Sequence, residues 1–165
     1  YTLAATHFIK QQATIAKNSV CLSKEPFCQV PLAVQRYILR RVVNSVGGKT
    51  YPPNAQELTR ACQKIASSED ICFTLGRTLI KQRKKTLHIV REERNMPPAV
   101  PLPPQRLICW DGRFWFHNTT EEPYWIVAPK GRTDPYFYKD PHVCLERPTG
   151  VVCVSSAVEN IVKDW

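Results

Sequence analysis

Acidic residues are scarce in this chain, and long hydrophobic runs are absent from it. The 165 residues include 14 Asp and Glu against 23 Lys and Arg, which gives a formal net charge of +9 at pH 7. An excess of cations on this scale favours contact with a polyanion, most often nucleic acid, and a basic surface kept for solubility is the alternative. No apolar stretch approaches the roughly 20 residues of a membrane helix and no signal peptide is visible, so we expect no membrane partner.

The sequence also lacks closely spaced pairs of cysteines. The seven cysteines stand at positions 21, 28, 62, 72, 109, 144 and 153, and no two of them form a Cys-x-x-Cys pair. Structural zinc sites usually contain such pairs, and disulfide frameworks usually have an even number of cysteines in a smaller chain. The four histidines are scattered, and His142 with Cys144 would supply only two ligands. We therefore expect reduced thiols, a cytoplasmic location and no metal.

The common catalytic motifs are missing as well. There is no nucleophile elbow and no Gly-x-Gly-x-x-Gly pattern. The segment Gly47-Gly48-Lys49-Thr50 resembles the end of an ATP-binding phosphate loop, but Val43 stands where that motif needs its first glycine. We interpret the two glycines as the end of a helix.

The first third of the chain has helical periodicity. One apolar stripe runs from Leu3 to Lys17, and a second helix has Pro31 in its first turn and Gly47 at its end. A third helix begins after Tyr51-Pro52-Pro53, where Asn54 and Glu57 have the spacing of a capping box.

The remainder has the pattern of short strands. Apolar runs at 72–75, 78–80 and 87–90 predict strands, and the last two predict a hairpin with a basic tip. The prolines between Met96 and Pro104 predict an extended connector, because proline fits neither a helix interior nor a central strand. The Asp111-Gly112 pair predicts a two-residue hairpin turn.

These elements predict an α+β fold in two parts. We expect an N-terminal helical subdomain at residues 1–70, followed by a small, mainly antiparallel β subdomain at residues 71–165 that includes the proline-rich connector 96–104. In the second part, alternation places Phe114 and Phe116 on one face of a strand and Trp115 on the other. Core packing and base stacking are the two alternatives for these rings.

Cations are concentrated in the middle of the chain. Seven Lys and Arg lie between residues 77 and 94 against two Glu, so this strand pair could line a phosphate backbone, with a solvated hairpin as the alternative. For Arg91, Arg94 and Arg113 the alternative is ion pairing with neighbouring carboxylates. The candidate phosphate contacts are Arg40, Arg41, Arg83, Lys84, Lys85, Arg91, Arg94 and Arg113.

Four short motifs occur in a particular order. They are Tyr51-Pro52-Pro53, Phe73-Thr74-Leu75-Gly76, Arg91-Glu92-Glu93-Arg94-Asn95 and Trp110-Asp111-Gly112-Arg113-Phe114. Their order and spacing resemble the C-terminal part of bacterial tRNA(Ile)-lysidine synthases, most closely the alphaproteobacterial members, over about residues 33–116. Family members often continue Thr-Leu-Gly with a second glycine and a cysteine, where this chain has Arg77 and Thr78.

The resemblance implies a role in tRNA modification. Enzymes of this family use ATP to adenylate C2 of the wobble cytidine of a minor tRNA(Ile) and then ligate L-lysine there. Their catalysis lies in an N-terminal domain with a Ser-Gly-Gly-x-Asp-Ser loop, which is absent here. The resemblance therefore implies a non-catalytic, tRNA-binding C-terminal portion. Residues 1–70 would be a helical tRNA-binding or linker subdomain, and no catalytic or cofactor-binding residue would be present.

The resemblance also implies the partners. The RNA partner would be tRNA(Ile), whereas ATP with Mg²⁺ and L-lysine would bind the missing domain. A homodimer is also compatible with the resemblance. The chain begins at Tyr1 and its only methionine is Met96, so we expect a piece of a longer protein. The alternatives are a standalone basic nucleic-acid-binding module without enzyme activity, and a protein-interaction domain for an acidic partner.

Overall fold

The chain forms two compact units. The computed structural model describes residues 1–48, 51–140 and 143–162. Unit 1 is Tyr1–Glu92 with Val158–Trp165, and unit 2 is Glu93–Ala157. The division therefore falls about twenty residues later than the sequence analysis placed it, because Ile71, Ile80, Leu87 and Ile89 share a core with the helices.

Unit 1 combines helices with an antiparallel sheet. Its helices are α1 (Thr2–Gln12), α2 (Lys24–Gln29), α3 (Leu32–Gly47) and α4 (Ala55–Ser67), with a 3₁₀ helix at Glu159–Val162. Its strands are β1 (Ala13–Ile15), β2 (Ser19–Ser23), β3 (Cys72–Leu75), β4 (Thr78–Arg83) and β5 (Thr86–Arg91). They are ordered β1-β2-β5-β4-β3, and every neighbouring pair is antiparallel.

The central helix α3 begins and ends near the residues that the sequence indicated. Pro31 is its N-cap and not part of its first turn, and Gly48 follows it in the left-handed conformation at φ 66°. The Gly48 N–H donates to the Asn44 carbonyl oxygen at 3.0 Å, which satisfies one of the carbonyls left open at the helix end. The apolar face of α3, with Ile38 and Val42, is fully buried.

The end of α3 touches the β3–β4 turn directly. A Cβ atom built on Gly47 would lie 2.1 Å from the carbonyl oxygen of Gly76, so no other residue fits at position 47 without moving the turn. The turn needs positive φ at both of its residues, Gly76 at 54° and Arg77 at 66°. Arg77 thus adopts a conformation that glycine prefers, at a position where the resembling family often has glycine.

Helix α4 has the predicted capping box. The Glu57 N–H donates to Asn54 Oδ1, and the Asn54 N–H donates to Glu57 Oε2, both at 2.9 Å. Its buried face carries Leu58 and Ile65. The prediction for α1 was wrong at its C-terminal end, because Ala13–Ile15 leaves the helix and pairs with Val20–Leu22 of β2.

Unit 2 is built from strands. They are β6 (Val100–Leu102), β7 (Leu107–Trp110), β8 (Phe114–Asn118), β9 (Tyr124–Val127), β10 (Tyr136–Asp140), β11 (Val143–Leu145) and β12 (Val151–Ser156). They form two antiparallel sheets, ordered β11-β10-β9-β6 and β12-β8-β7. The α+β class with a helical N-terminal part is therefore confirmed.

The core of unit 2 is aromatic. Trp110, Phe114, Phe116 and Phe137 are all buried in it, and the Phe116 and Phe137 rings meet edge to face at 5.0 Å between centroids. Phe114 and Phe116 do share the inner face of β8, which leaves Trp115 on the outer face. These two phenylalanines therefore pack in the core and cannot stack on bases.

Two turn predictions for this unit were nearly right. Asp111 and Gly112 both have positive φ, 54° and 67°, but strand pairing resumes only at Phe114, so the hairpin loop also contains Arg113. The proline-rich connector contains the edge strand β6, which pairs with β9. Pro101 is tolerated there because an edge strand has one side without a hydrogen-bonding partner strand.

Among the described residues no helix has the length and apolar character of a membrane-spanning segment.

Candidate nucleic-acid interface

The positive charge of the chain belongs to one unit. Unit 1 contains 16 Lys and Arg against 7 Asp and Glu, whereas unit 2 contains 7 of each. The difference of 16 and 7 equals the whole formal excess of +9, so unit 2 has no net charge. Any net electrostatic attraction for a polyanion is therefore expected from unit 1.

One face of the unit 1 sheet is open. The helices pack on the face that carries Val20, Leu22, Ile80, Leu87 and Ile89, all of which are buried. Side chains alternate along a strand, so the opposite face carries the intervening residues. Register places Cys21, His88, Lys81 and Cys72 side by side across β2, β5, β4 and β3. Lys81 and Arg83 are exposed on this outer face.

The β4–β5 turn extends this basic surface. Arg83 pairs with Thr86, which leaves Lys84 and Lys85 as the two turn residues, and both are exposed. We call Lys81, Arg83, Lys84 and Lys85 the basic hairpin. No Asp or Glu occurs anywhere in β4, β5 or the turn between them. Four cations are thus displayed along one short hairpin with no carboxylate in the same two strands.

Lys84 occupies a strained position. Its φ is 56°, which is uncommon for residues other than glycine and disfavoured by contact between Cβ and the backbone. A two-residue hairpin turn of this kind normally has glycine or asparagine at such a site. The structure therefore places a cation where glycine would be more stable, which is the kind of local cost that often accompanies function.

The tip is held in place by hydrogen bonds. The Gln82 side chain donates to the Lys84 carbonyl oxygen at 2.8 Å, and the Lys24 backbone N–H donates to the Lys85 carbonyl oxygen at 2.9 Å. Lys24 also extends its ammonium group to the Ser68 carbonyl oxygen at 2.6 Å and to Gln82 Oε1 at 3.0 Å. The turn backbone is thereby fixed while the Lys84 and Lys85 side chains remain in solvent.

Arg40 lies elsewhere on unit 1. It is exposed on α3, which belongs to the helical layer on the other side of the sheet from Lys81 and Arg83. With Arg36 and Tyr37 it lines a groove of about 160 Å³ beside the start of α4. Arg40 is thus accessible to a phosphate, but it does not belong to the surface formed by the basic hairpin.

Arg41 has a structural role. Its guanidinium donates to Thr6 Oγ1 at 2.8 Å and to the Ile161 carbonyl oxygen at 2.5 Å. These bonds tie α1 and the 3₁₀ helix to α3. A phosphate contact would compete with both of them.

Arg91 is buried and not displayed. Only 2% of it is exposed, and its Nη1 donates to the carbonyl oxygens of Glu92 at 2.5 Å and Arg77 at 3.3 Å. The Glu92 N–H donates to the same Arg77 carbonyl at 2.9 Å. Arg91 therefore fastens the β3–β4 turn to the end of β5, and a phosphate could reach it only if these bonds broke.

Arg113 is buried in unit 2. Its Nε lies 2.6 Å from Asp111 Oδ2 with both side chains fully enclosed, and its Nη2 donates to the Thr133 carbonyl oxygen at 2.5 Å. The guanidinium carbon also lies 5.0 Å from the Phe114 ring centroid and 5.5 Å from that of Trp110. The ion-pair alternative is the one observed for Arg113, and burial keeps it away from a nucleic acid.

Arg94 is the last of the eight candidates. It is exposed, but it belongs to unit 2 and not to the unit with the net charge. The structure therefore brings together Arg83, Lys84 and Lys85. Lys81 joins them. It was counted among the seven cations between residues 77 and 94 but not among the eight candidates, and the alternation of exposed residues along β4 could have indicated it.

A cysteine and a histidine meet on the outer face. Cys21 Sγ and His88 Nδ1 are 3.3 Å apart. Burial raises the pKa of the Cys21 thiol, and the positive charge of Arg83 opposes that shift only in part. The thiol therefore stays protonated at neutral pH and is a poor nucleophile.

The structure offers no candidate metal cluster in the part that it describes. Among the described side chains, which do not include those of residues 140–144, no three from His, Cys, Asp or Glu converge as metal ligands. His142 lies outside the described residues, as do Lys49 and Thr50 of the Gly-Gly-Lys-Thr segment. Gly47 and Gly48 end α3, as the helix-end interpretation required.

Comparison with known proteins finds a partial similarity. The chain is similar to part of a synthase that is named for an isoleucine tRNA. That protein is the tRNA(Ile)-lysidine synthase of Rhizobium meliloti (strain 1021), with 34% identity over 79 residues, which are 48% of this chain and 17% of the relative. The matched segment thus spans about a sixth of the relative's length. No protein-family model and no solved structure matches the chain.

Proposed function

We propose that the chain is a tRNA-binding, non-catalytic portion of a tRNA(Ile)-lysidine synthase, and that unit 1 holds the RNA through the basic hairpin. The observation that carries the proposal is the division of charge, since the whole excess of +9 lies in unit 1. The similarity to the Rhizobium meliloti synthase supports tRNA(Ile) as the RNA.

Phosphate binding fits the form of the surface. Lys81, Arg83, Lys84 and Lys85 follow one hairpin, and exposed lysines bind phosphates as mobile point charges without reading bases. The outer sheet face adds hydroxyl groups from Ser23 and other strand residues, and the strand residues that point outward include His88 but no Phe, Tyr or Trp. Such a surface holds a folded RNA by charge and shape.

The bond-forming steps would belong to the rest of the enzyme. ATP with Mg²⁺ and L-lysine would bind a separate adenylating domain, and the whole enzyme would work in the cytoplasm. The chain alone is then expected to bind tRNA and to incorporate no lysine. Transfer of radiolabelled lysine to tRNA(Ile) by this chain alone would contradict the assignment of catalysis to a separate domain.

The direct test is charge reversal at the tip of the hairpin. Lys84→Glu combined with Lys85→Glu removes two phosphate contacts, and each contact contributes about 0.7–0.9 to the slope of log K against log salt. We expect the slope measured with tRNA to fall by about 1.5 and the Kd to rise at least about tenfold at 0.1 M salt.

The control changes the same amount of charge elsewhere. Lys130→Glu combined with Arg147→Glu alters two exposed cations of unit 2. Its affinity for tRNA should stay within about twofold of the unaltered chain, because these positions lie outside the charged unit. Equal losses in the two double variants would show that only total charge matters. Affinity for an acidic polypeptide without affinity for tRNA would replace the proposal by the protein-interaction alternative.

A further inference from the structure

A groove in the helical layer of unit 1 combines an aromatic ring with two arginines. It lies between α3 and the start of α4 and has a volume of about 160 Å³. Leu58 in this groove is buried, whereas Tyr37 is 38% exposed and Arg40 is exposed. The groove therefore has an apolar floor and an accessible cation at its rim. The residues that line it are Arg36, Tyr37, Arg40, Pro53, Ala55 and Leu58.

Helical spacing keeps the three α3 residues of the groove together. Arg40 is four positions from Arg36 and three from Tyr37, so it lies beside both of them on the helix surface. The opposite side of α3 carries the buried Leu39. Arg36 Nη1 donates to Thr59 Oγ1 at 3.5 Å, so this guanidinium reaches across to α4.

A second groove shares Tyr37 and Arg40 with the first. Its volume is about 470 Å³, and its other lining residues include Thr2, Asn44 and Ser45. Hydroxyl and amide groups of this kind hydrogen-bond to the sugars and phosphates of nucleic acids. Because the two grooves meet at Tyr37 and Arg40, they form one path with room for more than a single nucleotide.

The arginines of the first groove are not neutralised by described carboxylates. Among the side chains that the structure describes, no Asp or Glu lines either groove, and neither Arg36 nor Arg40 forms an ion pair. Glu57, next to Leu58 in the chain, accepts the Asn54 N–H in the capping box of α4. Both grooves belong to unit 1, which holds the whole formal excess of +9. An anionic ligand is therefore favoured here.

An aromatic ring beside a guanidinium on a basic surface is the combination that binds unpaired nucleotides. The bases of a single strand stack on aromatic or guanidinium planes, while cations pair with the phosphates. Bases within a duplex do not expose their faces to a ring. The first groove is smaller than the roughly 300–1,000 Å³ of pockets for drug-sized ligands, so a single flat base suits it better than a larger molecule.

We propose that the two grooves bind unpaired nucleotides of an RNA strand, with one base in the smaller groove against Tyr37 and the adjoining phosphate at Arg40. This site is separate from the basic hairpin, because α3 and the outer sheet face lie on opposite sides of the sheet. The proposal takes RNA as the ligand from the proposed function, whereas the site itself rests on the two grooves.

Fluorescence anisotropy of the whole 165-residue chain with a labelled single-stranded RNA oligomer of about eight nucleotides tests the site. Tyr37→Leu removes the ring at an exposed position and should raise the Kd for the oligomer at least about fivefold. Tyr37→Phe keeps the ring and should stay within about twofold of the unaltered chain. Arg40→Gln should lower the slope of log K against log salt by about 0.7.

The controls remove the same kinds of group from other places. Trp125→Leu removes a ring that is 42% exposed on unit 2. Arg60→Gln removes an exposed cation from α4 at a position two residues from Leu58, which therefore faces away from the groove. Both variants should keep the Kd for the oligomer within about twofold of the unaltered chain.

Several outcomes would overturn the proposal. An unchanged Kd in Tyr37→Leu, an unchanged salt slope in Arg40→Gln, or an equal loss of affinity in Trp125→Leu would each do so. Tighter binding of an acidic, phenylalanine-containing peptide than of the oligomer, dependent on Tyr37, would replace RNA by a protein partner. Failure of the proposed function is seen separately, because tRNA binding that survives charge reversal at the hairpin tip leaves the Tyr37 dependence of oligomer binding unchanged.

Discussion

Replacing Lys84 by glycine separates the stability of the basic hairpin from its binding. Lys84 has φ 56°, so its Cβ is strained, and glycine would relieve about 1–2 kcal/mol of that strain. Glycine also makes the unfolded chain more flexible, which costs about 0.4–1 kcal/mol. The net expectation is that Lys84→Gly raises the free energy of unfolding by about 0.5 kcal/mol.

The same substitution should weaken binding to tRNA. One lost phosphate contact lowers the salt slope by about 0.7–0.9 and raises the Kd about fivefold at 0.1 M salt. A variant that is more stable yet binds less tightly is expected only if the lysine is retained for its charge.

Lys85 provides the matched control. It is the adjacent turn residue and equally exposed, but it has no positive φ. Lys85→Gly should therefore lose about 0.5–1 kcal/mol of stability, because no strain is relieved, while tRNA binding falls by the same factor as in Lys84→Gly. Urea unfolding and a salt titration of tRNA binding measure the two quantities.

Two outcomes would refute this reasoning. Equal destabilisation by Lys84→Gly and Lys85→Gly would mean that Lys84 is not strained. An unchanged Kd and salt slope in both variants would remove the hairpin tip from the RNA-binding surface.

Two further predictions concern stability. Gly47→Ala should lower the free energy of unfolding by about 2 kcal/mol or more, because the added Cβ would lie 2.1 Å from the Gly76 carbonyl oxygen. A urea midpoint equal to that of the unaltered chain would contradict the close packing of α3 on the β3–β4 turn. Asp111→Asn should cost about 3 kcal/mol by leaving the buried Arg113 cation without its 2.6 Å carboxylate partner, while tRNA binding below the melting temperature stays unchanged. A large loss of tRNA affinity in this folded variant would show that Arg113 does contact RNA.

Local signals predicted much of the fold. The glycines at the end of α3, the capping box of α4 and the Asp111-Gly112 turn each satisfy a backbone requirement that few residue types can meet, so the sequence indicates them directly. The β4–β5 hairpin was predicted from two short apolar runs that flank a polar, basic tip.

Long-range pairing could not be predicted in the same way. Ala13–Ile15 continues an apolar stripe of helical spacing, but it is recruited by β2, whose residues Ser19–Ser23 the sequence analysis did not assign. An edge strand of three residues depends on its partner more than on its own propensity. The boundary between the units depends on the same kind of information, because β3–β5 belong to unit 1 through packing on the helices.

The candidate site was predictable in part. Arg91 follows Leu87 and Ile89 at every second position of β5, so strand alternation alone places it on the buried face. Arg113 could not be placed this way, because it lies in a hairpin loop one residue longer than predicted, where strand alternation does not apply. The exposed cations at the tip of the basic hairpin were identified because a turn without apolar residues has no side chain that favours burial.

The salt dependence of tRNA binding by the unaltered chain tests the central claim most directly. If Lys81, Arg83, Lys84 and Lys85 each contact a phosphate, log K should fall linearly with log salt at a slope of about −3, and the affinity should drop about 60-fold between 50 and 200 mM salt. An affinity that is independent of salt over this range, or no binding to tRNA at 50 mM, would contradict the account.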